Sequence, residues 1–125
     1  MMAKLLSNTS LTAEQTQFFN ETMDFISTSG VDGKPQIGPK GSLRVLDDEH
    51  LVYLEYTYGQ AFENIKANPK VAVAGWDPKN HLSFRVNGTA ELHKDDDLAD
   101  KLLADSQHPE ATVVVIKIDE IYALA

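Results

Sequence analysis

The chain has 125 residues, of which 42% are hydrophobic and 24% are charged, a composition typical of one folded domain. It contains no cysteine, which excludes disulfides, thiolate catalysis, zinc–cysteine sites and iron–sulfur clusters. The formal net charge is −8 and the lysines are scattered. We therefore expect no nucleic-acid partner, because such a surface repels phosphate backbones.

The apolar stretch within Met1–Asn8 is too short for a signal peptide. No later segment approaches the length of a membrane span. We expect a cytoplasmic protein with no membrane partner, formed by one domain over residues 1–125.

The first predicted element is a helix. Thr12 and Gln15 have the spacing of a capping box, in which each side chain bonds the other's backbone. The helix is expected to run to about Met23, with Phe18, Phe19 and Met23 on its buried side.

A hairpin follows. Asp32–Gly33 is a strong turn signal between the β-compatible segment Phe25–Ser29 and a strand that starts at Gln36. A polar turn then leads to the strand Leu51–Tyr56, and a short helix is expected over Ala61–Ala67, before an Asn-Pro pair.

The second half predicts three more strands and one helix. Val71–Trp76 is an apolar run of strand length, and His81–His93 alternates between apolar and polar residues, with Gly88 as a bulge. Asp95–Ala104 reads as a helix with an acidic first turn, and Val113–Ile118 as a buried final strand.

These elements are about six strands, joined mainly by hairpins, and three short helices. The absence of regular strand–helix alternation argues against a doubly wound parallel sheet. Long alternating strands suit a closed antiparallel barrel, which leaves no exposed sheet edge.

Two segments have the residues of an anion site. If residues 40–46 are extended, Lys40, Ser42 and Arg44 share one strand face and could grip an anion, although a solvated strand face is the alternative. Gly59, Gln60 and Ala61 place free backbone amides at a helix start, where phosphate binds well. The histidines and the acidic runs lack the spacing of metal ligands, so no metal site is predicted.

The same segments carry a resemblance to a known family. The hairpin residues 25–43, the run 59–73 with its Glu-Asn and Asn-Pro pairs, and the strand 84–91 occur in the order and spacing of the pyridoxamine-phosphate-oxidase-like FMN-binding split barrels. The chain resembles that family from Phe25 to Leu92. The resemblance implies a mainly β fold, a six-stranded antiparallel split barrel of Greek-key type.

The resemblance also implies a cofactor and a site. Relatives bind FMN, holding its phosphate on the second strand and at the turn that opens the short helix, and the partner subunit of a homodimer often closes the site. Carried over to this sequence, the cofactor-binding residues are Pro39, Lys40, Gly41, Ser42, Leu43, Arg44, Tyr56, Thr57, Gln60 and Ala61, with Trp76 and Arg85 as residues that a partner would contribute.

Two departures from the family pattern shape the functional hypotheses. Many relatives have a basic residue and a hydroxyl residue where this chain has Gln60 and Ala61, which should weaken its hold on phosphate. The chain also ends at Ala125 without the Arg- and His-bearing segment that true pyridoxamine-phosphate oxidases use for substrate. We therefore expect it not to be one of those oxidases.

Three functions stay open. The first is an FMN-dependent oxidoreductase of unknown substrate, in which the flavin performs the redox chemistry. The second is a non-catalytic dimeric split barrel that binds flavin or haem. The third is a barrel that has lost its ligand and serves as a dimeric interaction module. In each case we expect a homodimer whose interface includes Val71–Trp76, because apolar residues on both faces of the strands exceed what one core needs.

Overall fold

The structure, a computed structural model, describes residues 3–125, so Met1 and Met2 of the N-terminal stretch lie outside the described residues. Its three helices are α1 (Ala13–Glu21), α2 (Gln60–Ala67) and α3 (Asp97–Leu103). Its eight strands are β1 (Lys4–Leu5), β2 (Phe25–Ser29), β3 (Pro35–Pro39), β4 (Arg44–Asp47), β5 (His50–Glu55), β6 (Lys70–Ala74), β7 (Phe84–His93) and β8 (Thr112–Ala123).

All strand pairs are antiparallel. The order across the sheet is β3-β2-β6-β7-β8-β5-β4, with β1 added to β8. Within the described residues no pair joins β3 to β4, so the sheet curls without closing and leaves both of these strands as edges. The mainly β, antiparallel architecture with three short helices is confirmed, and the barrel is open rather than closed.

The structure has eight strands where about six were expected. The stretch 36–46 is two strands, β3 and β4, because a turn intervenes at 40–43. The two-residue β1 adds another, and β8 is twelve residues long, which lets it pair with β1, β5 and β7. The bulge expected at Gly88 is present, as a register shift between Asn87 and Gly88.

Helix α1 begins as predicted but ends early. Thr12 and Gln15 form the capping box, with the amide of Gln15 donating to the Thr12 hydroxyl at 3.1 Å. The helix stops at Glu21, and the Thr22 hydroxyl donates to the carbonyl of Phe18 at 2.7 Å. The expectation that Met23 is buried is therefore wrong: it lies beyond the helix and is exposed.

Two apolar clusters cover the two sides of β5. The larger fills the inside of the curled sheet and includes Leu51 and Tyr53. The smaller joins Val52 to Val113 and Val115 of β8 under α3. Both faces of β5 are thus buried within one chain. The apolar residues on both of its faces are therefore explained without a partner subunit.

One sheet face stays uncovered. Register places Phe25, Ile37 and Ala74 on the side of β2, β3 and β6 that faces away from the core, since Ile26 and Val73 point inward. Phe25 is 43% exposed and Ile37 is 68% exposed. We call this the outer face.

Candidate functional site

The segment that leads out of β3 makes a tight turn. The amide of Leu43 donates to the carbonyl of Lys40 at 3.1 Å, and the amide of Lys40 donates to the carbonyl of Asp24 at 3.0 Å. The expectation that residues 40–46 are extended is therefore wrong. Lys40, Ser42 and Arg44 do not form one strand face: Lys40 and Ser42 belong to the turn, and Arg44 starts β4.

A second turn faces it at the end of β5. The buried carboxylate of Glu55 accepts hydrogen bonds from the amide of Thr57 at 3.1 Å, the Thr57 hydroxyl at 3.0 Å and the amide of Tyr58 at 2.9 Å. Tyr58 has a φ of 53°, an unusual backbone conformation for a large side chain. The carboxylate thus fixes the path of the chain into α2.

Two side chains hold the turns together. The Lys40 ammonium lies 3.4 Å from Glu55 Oε1 and 5.0 Å from the centre of the Tyr53 ring. The Ser42 hydroxyl accepts from the Leu54 amide at 3.0 Å and lies 3.4 Å from the Leu54 carbonyl. The Ser42 hydroxyl thereby satisfies backbone groups of Leu54 that a neighbouring strand would otherwise satisfy.

The two turns enclose a small groove of about 120 Å³. It is lined by Pro39, Lys40, Gly41, Ser42, Leu54, Glu55, Tyr56 and Thr57. We call it the turn groove. Six of these eight residues were predicted from the sequence as cofactor-binding residues, and the structure brings them together.

Leu54 and Glu55, which also line the groove, were not predicted from the sequence. The available signal was a carboxylate directly after the apolar run 51–54, at a position that strand alternation buries. A buried carboxylate needs partners, and its partners are the residues that shape the groove.

The other predicted residues lie outside the turn groove. Leu43 is buried in the core and Arg44 is exposed on β4. Gln60 and Ala61 open α2, and Gln60 donates to Asn64 at 2.9 Å. Trp76 follows β6 and is half exposed.

The start of α2 borders a second groove, of about 440 Å³. Gln60 and Asn64 line it together with Lys34 from the hairpin turn. Gly59 caps the helix without a side-chain hydrogen bond, so the first amides of α2 are not occupied by a capping side chain.

Arg85 lies on β7, where it is paired with Ala74 of β6 and with Tyr122 of β8. Its guanidinium carbon lies 4.3 Å from the centre of the Tyr122 ring, and its buried Nε atom has no hydrogen-bond partner. Pairing with Ala74 puts Arg85 on the outer face. A shallow groove of about 520 Å³ crosses the same face and contains none of the predicted site residues; small residues such as Ser27 and Ala72 line it.

An aromatic stack borders the turn groove. Tyr56, which lines it, stacks on His108 with ring centres 3.7 Å apart and planes 5° from parallel. Tyr58 donates to the Glu110 carbonyl at 2.9 Å, and Lys94 donates to the same carbonyl at 2.9 Å. The loop before β8 is thus tied to the rim of the groove.

Across residues 3–125, no three His, Asp or Glu side chains are arranged to hold a metal ion. None of the helices α1, α2 and α3 has the length and the apolar composition of a membrane-spanning helix.

Comparison with known proteins supports the likeness inferred from the motifs. The crystal structure of a candidate pyridoxamine 5'-phosphate oxidase from Lactobacillus delbrueckii is 47% identical, with a TM-score of 0.90 over 94% of this chain and 98% of that one. An uncharacterised protein of Methanocaldococcus jannaschii is 33% identical over 122 residues, covering 91% of this chain and 80% of the relative.

An FMN-binding protein from Syntrophomonas wolfei shares the fold, with a TM-score of 0.71 at 15% identity over 90% of this chain and 85% of that one. The chain is therefore a mainly β, antiparallel split barrel. Residues 11–125 match the profile of the family described as pyridoxamine 5'-phosphate oxidase. The chain belongs to the pyridoxamine 5'-phosphate oxidase family.

Proposed function

We propose that this protein binds FMN at the turn groove and acts as an FMN-dependent oxidoreductase in a homodimer. The observation that carries the proposal is the convergence of two sequence-distant turns, 39–42 and 54–57, on one groove in a chain of this family. Bound flavin supplies hydride or electron transfer, and the protein supplies binding and orientation.

The groove fits one edge of a flat, polar ring. A Cβ atom added to Gly41 would meet nothing within 4 Å, so a planar group has room to approach the backbone there. Backbone amides and carbonyls can meet the donors and acceptors of the flavin ring without a charged side chain.

The start of α2 is the element that suits the phosphate. Its first amides have no capping side chain, and the positive end of a helix dipole attracts anions. Gln60 can donate a hydrogen bond there but carries no charge, so we expect a moderate preference for FMN over riboflavin.

One chain supplies only part of the site. A volume of about 120 Å³ is below the roughly 300–1,000 Å³ of pockets that enclose a cofactor-sized ligand. The outer face, with Phe25 and Ile37, is the apolar surface that a second copy would cover, and the half-exposed Trp76 follows β6 nearby in the chain. In such a dimer Trp76 and Arg85 are the residues available to close the partner's groove.

The test is the absorption spectrum of freshly purified protein, followed by titration with FMN, FAD and riboflavin. Flavin bands and tightest binding of FMN support the proposal. A Soret band would instead indicate a haem-binding barrel. A protein that shows no flavin bands and no Soret band, and that binds none of the three flavins, would be a barrel that has lost its ligand.

Catalysis needs a separate measurement. FMN-loaded protein is mixed with NADH or NADPH without oxygen, and the flavin absorbance is followed. Bleaching faster than that of free FMN supports an oxidoreductase. If the bound flavin is bleached no faster than free FMN with either donor, the protein is not an oxidoreductase that uses NADH or NADPH. A role in flavin binding would remain.

A further inference from the structure

The turn groove contains a charge pair between Lys40 and Glu55. Glu55 is 1% exposed at its side chain and Lys40 is 18% exposed, and their charged atoms lie 3.4 Å apart. A buried ion pair costs desolvation on both sides, and the attraction between its charges offsets this cost only where the geometry is good and further hydrogen bonds satisfy the remaining polar atoms.

Glu55 uses both of its oxygens. Oε1 faces the Lys40 ammonium, and Oε2 accepts from two amides and one hydroxyl at Thr57 and Tyr58. These donors, a cation together with consecutive amides, are the ones that proteins use to hold phosphate. Here an internal carboxylate already occupies them.

The surroundings keep the pair in place. Lys40 also lies over the Tyr53 ring, 5.0 Å from its centre. Burial, and then the Glu55 charge, raise the pKa of the Tyr53 hydroxyl well above its ordinary value, so that phenol stays neutral. Tyr53 therefore adds no second negative charge beside Lys40.

We propose that Glu55 is a specificity-determining residue of the turn groove: by neutralising Lys40 and saturating the amides of Thr57 and Tyr58, which directly precede the start of α2, it lowers the affinity of the adjoining α2 start for the phosphate of the ligand. This proposal rests on the proposed flavin-binding function. The groove then recognises the neutral ring. The preference for FMN over riboflavin is smaller than it would be if Lys40 and the amides of Thr57 and Tyr58 were not occupied by Glu55.

FMN and riboflavin differ only in the phosphate, so the ratio of their dissociation constants isolates this effect. Riboflavin affinity reports whether the groove is intact. In Glu55→Gln the amide oxygen can still accept from Thr57 and Tyr58, but Lys40 loses its counter-charge. We expect the preference for FMN to rise by about tenfold, the size of one charge-assisted hydrogen bond.

Two further variants make the test independent of that single substitution. Lys40→Met leaves Glu55 unbalanced and should lower the preference for FMN. The double variant Lys40→Met with Glu55→Gln removes both charges together and leaves the net charge unchanged. Its preference for FMN over riboflavin should stay within about twofold of that of the parent protein. If Lys40 instead bonds the phosphate directly, the double variant loses preference as the single lysine variant does, which would overturn the proposal.

A matched control removes one negative charge elsewhere. Glu14→Gln, on the exposed first turn of α1, should leave the ratio unchanged. An unchanged ratio in Glu55→Gln, with riboflavin affinity retained, would show that Glu55 is structural only. Absence of flavin binding by the parent protein would overturn the proposed function instead, so the two failures are distinguishable.

Discussion

An oxygen of the Asp24 carboxyl group lies directly against Gly75: a Cβ atom placed on this glycine would meet Asp24 Oδ1 at 2.7 Å and Thr22 Oγ1 at 3.0 Å. Asp24 precedes β2 and Gly75 follows β6, and these strands are paired. The carboxyl group is buried, with one oxygen bonded to the Thr22 hydroxyl at 2.8 Å and the other without a partner.

The first prediction is that Gly75→Ala destabilises the fold. The added methyl group meets a short, buried side chain that has little freedom to move away. We expect a loss of unfolding free energy on the order of 1–3 kcal/mol, measured by denaturant unfolding. Gly38→Ala is the control, because nothing lies within 4 Å of a Cβ atom there. Equal losses in both variants would contradict the steric reason.

The second prediction concerns pH. Burial raises the pKa of Asp24 from 3.8 to about 7, although the Thr22 hydrogen bond acts in the opposite direction. Between pH 4 and 7 the unfolded chain has released this proton and the folded chain has kept it. This group's contribution to stability is therefore complete below pH 4 and is lost as pH rises towards 7.

Asp24→Asn removes this titration while keeping a similar shape. Relative to the parent protein, the variant should gain stability steadily from pH 4 to pH 7 and no further above that. The measurement is the difference between the two proteins in urea unfolding at several pH values, in which the other carboxylates largely cancel. Parallel profiles over the whole range would show that Asp24 does not titrate with a raised pKa.

The third prediction is that the protein is a homodimer through the outer face. Ile37→Lys places a charge on the most exposed apolar residue of that face at little cost to the monomer fold, because the side chain makes little contact in one chain. Light scattering at micromolar concentration should show a dimer for the parent and a monomer for the variant. Val31→Lys, which changes an even more exposed residue at the hairpin turn, should remain dimeric.

A parent protein that is monomeric at these concentrations would contradict both the dimer and the two-subunit site. If Ile37→Lys remains dimeric while the parent is also a dimer, the interface lies elsewhere. In that case Trp76 and Arg85 are not the residues that close the partner's groove.

The fourth prediction is that Gln60→Lys together with Ala61→Thr tightens FMN binding. The pair adds a cation and a hydroxyl at the start of α2, where the helix has no capping side chain. We expect a gain of about 1–3 kcal/mol for FMN, roughly tenfold or more in affinity, and little for riboflavin. The gain should fall with added salt, because it is partly Coulombic.

The matched control makes equivalent changes on another helix. Ala13→Thr with Gln17→Lys adds the same groups to α1 and should leave both affinities unchanged. If the α2 variant binds FMN no better than the parent, these positions do not face the phosphate.

The helices and the hairpin could be predicted because their signals are local. Thr12 and Gln15 bond each other's backbone within one turn, and Asp32–Gly33 needs only its own backbone conformation to reverse the chain. Gly33 indeed has a φ of 77°, which glycine adopts without steric cost. The alternation along β7 likewise reports which side is buried, whatever the partner strands are.

The sequence by itself therefore determined the family, the mainly β class and most residues of the turn groove. Tertiary structure decided what depends on distant partners: the turn at Lys40, the burial of Glu55 beneath it, and the covering of Val52 by α3. Lys40 and Glu55 are fifteen residues apart, and their pairing follows from how two turns pack rather than from either segment's own pattern. The charge of Lys40, for which the sequence shows no nearby partner, is thus balanced by Glu55 in the folded protein.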